Sequence, residues 1–139
     1  MALQGIGGAG MEGLRWWEEE AGRATRAYLD EFILKHLGAL GRYEAAEHVE
    51  EPLAEMSQHL RDFSARWEKV VNECHKDTEH LLGPTRGAAV MRALVEQLLL
   101  IYTRLLDNIR RAGPEGQELA RGAVSIEDVA TDLKRIAKY

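Results

Sequence analysis

Few residues of this chain could do chemistry, and their spacing argues against most of what they could do. The candidate metal ligands and proton carriers are His36, His48, His59, His75 and His80. A zinc site of the H-E-x-x-H kind needs two imidazoles four apart on one helical face. That motif is missing, and His75 and His80 lie five apart. Cys74 stands beside His75, but adjacent helical side chains diverge by about 100° and do not face each other. Cys74 is therefore read as a buried structural cysteine and not as a nucleophile. Glu18, Glu19 and Glu20 are consecutive, so they splay around a helix as a solvated face. A di-iron bundle needs Glu-x-x-His on inner helical faces. Three residues after Glu44 stands Glu47, with His48 one place too late. Gly5, Gly7 and Gly10 match a G-x-G-x-x-G spacing, yet that turn works only between a strand and a helix, and no strand precedes it. No catalytic, cofactor-binding or metal-ligating residue is assigned, and no cofactor is expected.

The elements that would carry these residues read as helices. Residues 1–12 are glycine-dense and read as a flexible lead or linker; residues 13–139 read as one helical domain. Leu14, Trp17, Ala21, Ala24, Tyr28 and Phe32 recur at steps of three and four. Trp17 lies on that stripe. Trp16 points elsewhere, either as a contact for a partner or as surface covered by a neighbouring part of a longer chain. A break is expected near Gly38 and Gly41, with a short helical piece over 42–49. Pro52 marks the next start. The stripe of that helix runs through Met56, Leu60, Phe63, Trp67, Val70, Cys74 and Leu81, with Trp67 at its centre. Gly83-Pro84 ends it, because proline disfavours helical geometry in the residue before it.

A third long helix starts near Thr85. Leu94, Leu98, Tyr102 and Leu105 lie on its apolar side, and Leu99, Leu100 and Leu106 widen the arc enough to imply more than one neighbour. Gly113-Pro114 reads as its stop and residues 115–122 as a loop. Ser125 caps a last helix, with Asp128 at the capping-box position, and Ile126, Val129, Leu133 and Ile136 form its stripe. The expected core is therefore Trp17, Phe63, Trp67, Val70, Leu94, Leu98, Tyr102, Leu105, Val129 and Leu133.

Composition narrows the function classes. The 139 residues are 45% hydrophobic and 29% charged, which suits one folded domain with a continuous core. The net charge of −5 and the lack of a basic stripe argue against nucleic acid as a partner. The longest aliphatic run, from Leu98 to Ile101, is far below the roughly 20 residues of a membrane span. The start lacks a signal peptide's pattern, and Ala2 stands where myristoylation needs glycine. A single cysteine fits a cytosolic protein.

Three stretches together resemble a known family. They are Phe63-Ser64-Ala65-Arg66-Trp67, then Val95-Glu96-Gln97-Leu98-Leu99-Leu100-Ile101-Tyr102-Thr103-Arg104, and the segment from Ile126 to Leu133-Lys134. Their order and spacing are similar to the C-terminal region of the vacuolar protein sorting-associated protein 52 family. That family supplies a subunit of the Golgi-associated retrograde protein (GARP) complex and of its endosomal recycling relative, EARP. The segment around Ala27, Phe32 and Leu40 is compatible, so the resemblance covers most of the chain after Gly13. Gly83-Pro84 departs from the junction expected between the central helices. Ile126-Glu127-Asp128 is more acidic than the usual entry to the last helix.

The resemblance implies an all-α, elongated antiparallel bundle of the multisubunit tethering-complex (CATCHR-like) type, with three long helices and one or two short ones. It implies no catalytic residues, and hence no enzyme. It implies endosome-to-trans-Golgi transport, in the cytosol and peripherally at Golgi and endosomal membranes, without transmembrane insertion. Rab GTPases and SNARE proteins are the implied partners. The other complex subunits would be reached through an N-terminal coiled-coil part that this sequence does not contain. The alternatives are a helical domain of another tether or SNARE-binding adaptor and, behind it, a small helical enzyme or metal protein.

Overall fold

A computed structural model describes the backbone of residues 8–137 and the side chains of residues 22–137, that of residue 84 excepted. Five α-helices and one 3₁₀ turn follow one another, and among the described residues there is no strand. Helix α1 spans Gly8–Leu37. The 3₁₀ turn Gly38–Gly41 and the one-turn helix α2 (Arg42–Ala45) lead into an irregular connection. Helix α3 runs Leu53–Arg110, α4 Pro114–Gly122 and α5 Ile126–Ala137.

Helix α3 is not one rod. At Gly83 the backbone turns to φ 76° and ψ 176°, a region that essentially only glycine enters without cost. The chain doubles back there into two antiparallel arms, 53–82 and 84–110. Phe63 and Tyr102, thirty-nine residues apart in sequence, stack with ring centroids 5.0 Å apart. A straight helix would separate them by nearly 60 Å. Near the turn, a side chain on Gly87 would meet the Thr78 carbonyl oxygen at 3.5 Å, so the arms approach closely. Gly83→Ala is expected to cost about 1–3 kcal/mol, read as a lower urea midpoint with unchanged helical circular dichroism. An unchanged midpoint would show that the junction is not held in this conformation.

The doubled helix is the spine. The segment from α1 to α2 packs along it, and α4 and α5 pack on α3 alone among the described elements. The buried set is continuous: Leu29, Phe32, Ile33 and Leu37 from α1, Leu40 and Tyr43 from the turn, both arms of α3, then Ala120, Val129, Leu133 and Ala137. Of the residues expected in the core, Phe63, Val70, Leu94, Leu98, Tyr102, Leu105, Val129 and Leu133 are buried. Trp67 is only half-buried, packed against the core's edge. Its ring is too large to be shut in where Phe63, Val70 and Val71 already take the inward positions. Leu81, expected on the same stripe, is 72% exposed: it shares a face with the buried Thr78, but the buried row of this arm ends there, one turn before the bend. Trp16 and Trp17 lie outside the described side chains.

Residues 115–122 are helical, not a loop. Gly113, at φ 96°, breaks α3, and Pro114 then opens α4, where a missing N–H costs nothing. Gly116 permits the tight return: a side chain there would fall 1.9 Å from the Ile109 carbonyl oxygen. Ser125 caps α5, its hydroxyl accepting from the Asp128 N–H at 3.1 Å.

Candidate partner-docking groove

A wide concavity lies between α1 and the turn end of the α3 hairpin, with a volume of about 1350 Å³. From α1 it is lined by residues of one face, Thr25, Arg26, Tyr28 and Leu29 among them. From the second arm it is lined by Arg86, Ala89, Val90, Ala93, Glu96, Gln97 and Leu100, which recur at helical spacing and so share a face. Leu81 and Leu82 flank the outer end. Leu81, Leu82 and Leu100 are all large apolar side chains left substantially in solvent. The apolar arc read from the third helix is thus divided. Leu106 is buried, Leu99 is half-buried, and Leu100 opens into the groove.

Two polar atoms in the groove lining are shielded: Gln97 Oε1, without a hydrogen-bond partner among the described residues, and the Tyr28 hydroxyl, which lies beside Cys74 and Asp77. Burial, with Cys74 and Asp77 nearby, pushes the Tyr28 pKa up to about 12. Glu44 lies at the other end. Burial and the neighbouring Asp30 push its carboxyl up, against the pull of Arg26 at 3.8 Å. The Cys74 thiol beneath is fully buried, and burial pushes its pKa up to about 12. A thiol in that state is a poor nucleophile, in keeping with the structural reading of Cys74. His75 instead faces Glu79 at 3.6 Å. No group of three or more His, Cys, Asp or Glu residues that could hold a metal occurs among the described residues.

A polar knot that sequence reading missed fixes the base of the hairpin. Glu51, its side chain 4% exposed, accepts from the Tyr43 hydroxyl at 2.6 Å and from His59 Nε2 at 3.0 Å. Arg42 stands 3.7 Å away. From the second arm, Arg104 donates to the carbonyls of Tyr43 and Glu44. Asn108 donates to the Glu47 carbonyl and accepts from the Val49 N–H. Two part-buried backbone groups of the irregular connection after α2, the Glu47 carbonyl and the Val49 N–H, are therefore paired by a side chain about sixty residues away. This anchors the lower end of α1 and so one wall of the groove.

Burial alone would raise the Glu51 pKa, but hydrogen bonds from Tyr43 and His59 and the charges of His59 and Arg42 outweigh it and hold it below its usual 4.5. A carboxyl lowered on folding stabilises fully above its unfolded value, and the contribution is lost as pH falls through the folded value. Glu51→Gln is expected to cost about 1.5–3 kcal/mol at pH 7. The gap to the parent chain should close below about pH 4. A gap that stays constant from pH 7 to pH 3 would show that the charge of Glu51 does not hold the knot.

Comparison with known proteins gives one lead. No family model and no solved structure matches the chain. In an alignment 132 positions long that covers 88% of the chain, it is 26% identical to vacuolar protein sorting-associated protein 52 A of Arabidopsis thaliana. Over the same length it is 25% identical to the 52 B protein of that plant. The chain spans 18% and 19% of those relatives, aligning with their C-terminal part.

Proposed function

We propose that this chain, a homologue of the C-terminal part of vacuolar protein sorting-associated protein 52, is a non-catalytic recognition module of a vesicle-tethering assembly. The observation that carries the reading is the match along 88% of the chain, too long a share to leave out the hairpin. The fold supplies what such a role needs. A continuous core holds the groove walls in place, so a surface can be presented without reorganisation on binding. The assembly would be of the GARP or EARP kind, acting in endosome-to-trans-Golgi retrieval, with the module peripheral to those membranes. Rab GTPases and SNARE proteins are the partner classes for the preformed surface. Joining to the other subunits falls to regions outside this chain.

Recognition and assembly should therefore separate. Overproduced in cells, the chain is expected not to coprecipitate the other tethering subunits, yet to slow retrieval of a recycling cargo by competing for a carrier- or Golgi-bound partner. Efficient coprecipitation would place the assembly interface inside this domain, and normal retrieval at high expression would count against the competition.

A further inference from the structure

We propose that the groove between α1 and the turn end of the α3 hairpin seats an amphipathic helix of another polypeptide. That helix would lay leucine-sized residues along Ala89, Ala93 and Leu100 and set a basic side chain against Glu44 and Glu96.

The shape of the floor suits a helix. The positions from Arg86 to Leu100 that face the groove extend about 21 Å along one side of the arm, or nearly four turns. Ala89 and Ala93 leave its middle shallow, so a second helix can approach closely, while Leu81, Leu82 and Leu100 supply exposed apolar contact around it. Three helical segments already stand around this space, and a fourth would complete a bundle.

Hydrogen bonding favours a helix over an extended segment. An extended segment brings an unpaired N–H and C=O at nearly every residue, each costly to bury. The groove offers them separate side chains and, among the described residues, no strand edge to pair with. The Thr78 hydroxyl is already spent on the Cys74 carbonyl at 2.9 Å. A helix pairs its own backbone and asks the groove only for apolar contact.

Charge sets the flank. The ionisable side chains lining the groove are Arg26, Arg86, Glu44, Asp77 and Glu96, an acidic excess of one. Arg26 is already turned to Glu44, and Asp30 crowds the same carboxylate. A lysine or arginine on the incoming helix relieves that excess. The occupant proposed is a helix from another chain; one returning from elsewhere in this polypeptide would already fill the groove and leave an added peptide unbound.

The inference deepens the recognition reading but is tested apart from it. Two fluorescent fifteen-residue helical peptides with one leucine stripe, flanked by lysines in one and glutamates in the other, are titrated into the purified chain by anisotropy. The lysine peptide is expected to bind more tightly. Leu100→Ser, at an exposed position, should leave the melting temperature unchanged and weaken binding about tenfold. Glu96→Lys should shift the preference towards the glutamate peptide. Equal binding of both peptides, binding of neither, or undiminished affinity in Leu100→Ser would overturn the proposal. So would a dimer of the chain that Leu100→Ser dissolves, since the groove would then belong to a second copy. A failure here beside slowed retrieval in cells would remove the helix seat and leave the tethering reading standing.

Discussion

A chain ending at Gly122 is expected to lose a large share of its stability and to self-associate. Helix α5 contributes Val129, Leu133 and Ala137 to the core, and the connection before it takes a hydrogen bond at 2.6 Å from the Tyr102 hydroxyl to the Val124 carbonyl. Burying a Val or Leu side chain contributes about 1.5–3 kcal/mol, against roughly 5–15 kcal/mol for a whole domain. Removing α5 would uncover apolar surface on α3, and a contiguous exposed patch of that kind promotes association. The twelve residues of α5 are too few to hold a helix alone, so docking on α3 is what orders them. Size-exclusion chromatography and urea titration of the shortened chain provide the check. A monomer with the parent's midpoint would make α5 a dispensable tail.

Phe63→Ala should cost about 3–5 kcal/mol. Phe63 is 1% exposed and stacks on Tyr102 across the hairpin, so its loss leaves a cavity and unclasps the two arms. Trp67→Ala, one turn further on, removes a larger side chain yet is expected to cost clearly less, because Trp67 rests half-buried on the core's edge. The order of the two urea midpoints decides the matter. A larger loss at Trp67 would mean that the arm is rotated from the orientation described here.

The hairpin was legible because local signals and periodicity agreed on it. Gly83-Pro84 marked the turn, and the stripes on either side placed Phe63 and Tyr102 inward. The Ser125 cap was legible for the same reason, since hydroxyl and amide lie three residues apart. Helix α4 was not, because one dipeptide carried two meanings. Gly113-Pro114 stops one helix and starts the next, and reading only the stop turned residues 115–122 into a loop. The Glu51 knot was invisible for a different reason. Asn108 and Arg104 find their partners about sixty residues back in the chain, and no periodicity links such positions. Leu81 and Leu100 mark a further limit. An apolar stripe tells which residues share a face, but not where along the helix its neighbour ends, and the groove begins where α1 ceases to cover that face.

The central claim is that this bundle performs the recognition task of the C-terminal part of its relatives. Grafting tests it most directly. In plants lacking vacuolar protein sorting-associated protein 52 A and 52 B, the 52 A protein is supplied with its matching C-terminal part replaced by this chain, and retrieval of a recycling cargo is followed. The account predicts that the graft, present at the normal level, restores retrieval more fully than the same protein with that part deleted. A stable graft that does no better than the deletion would contradict it.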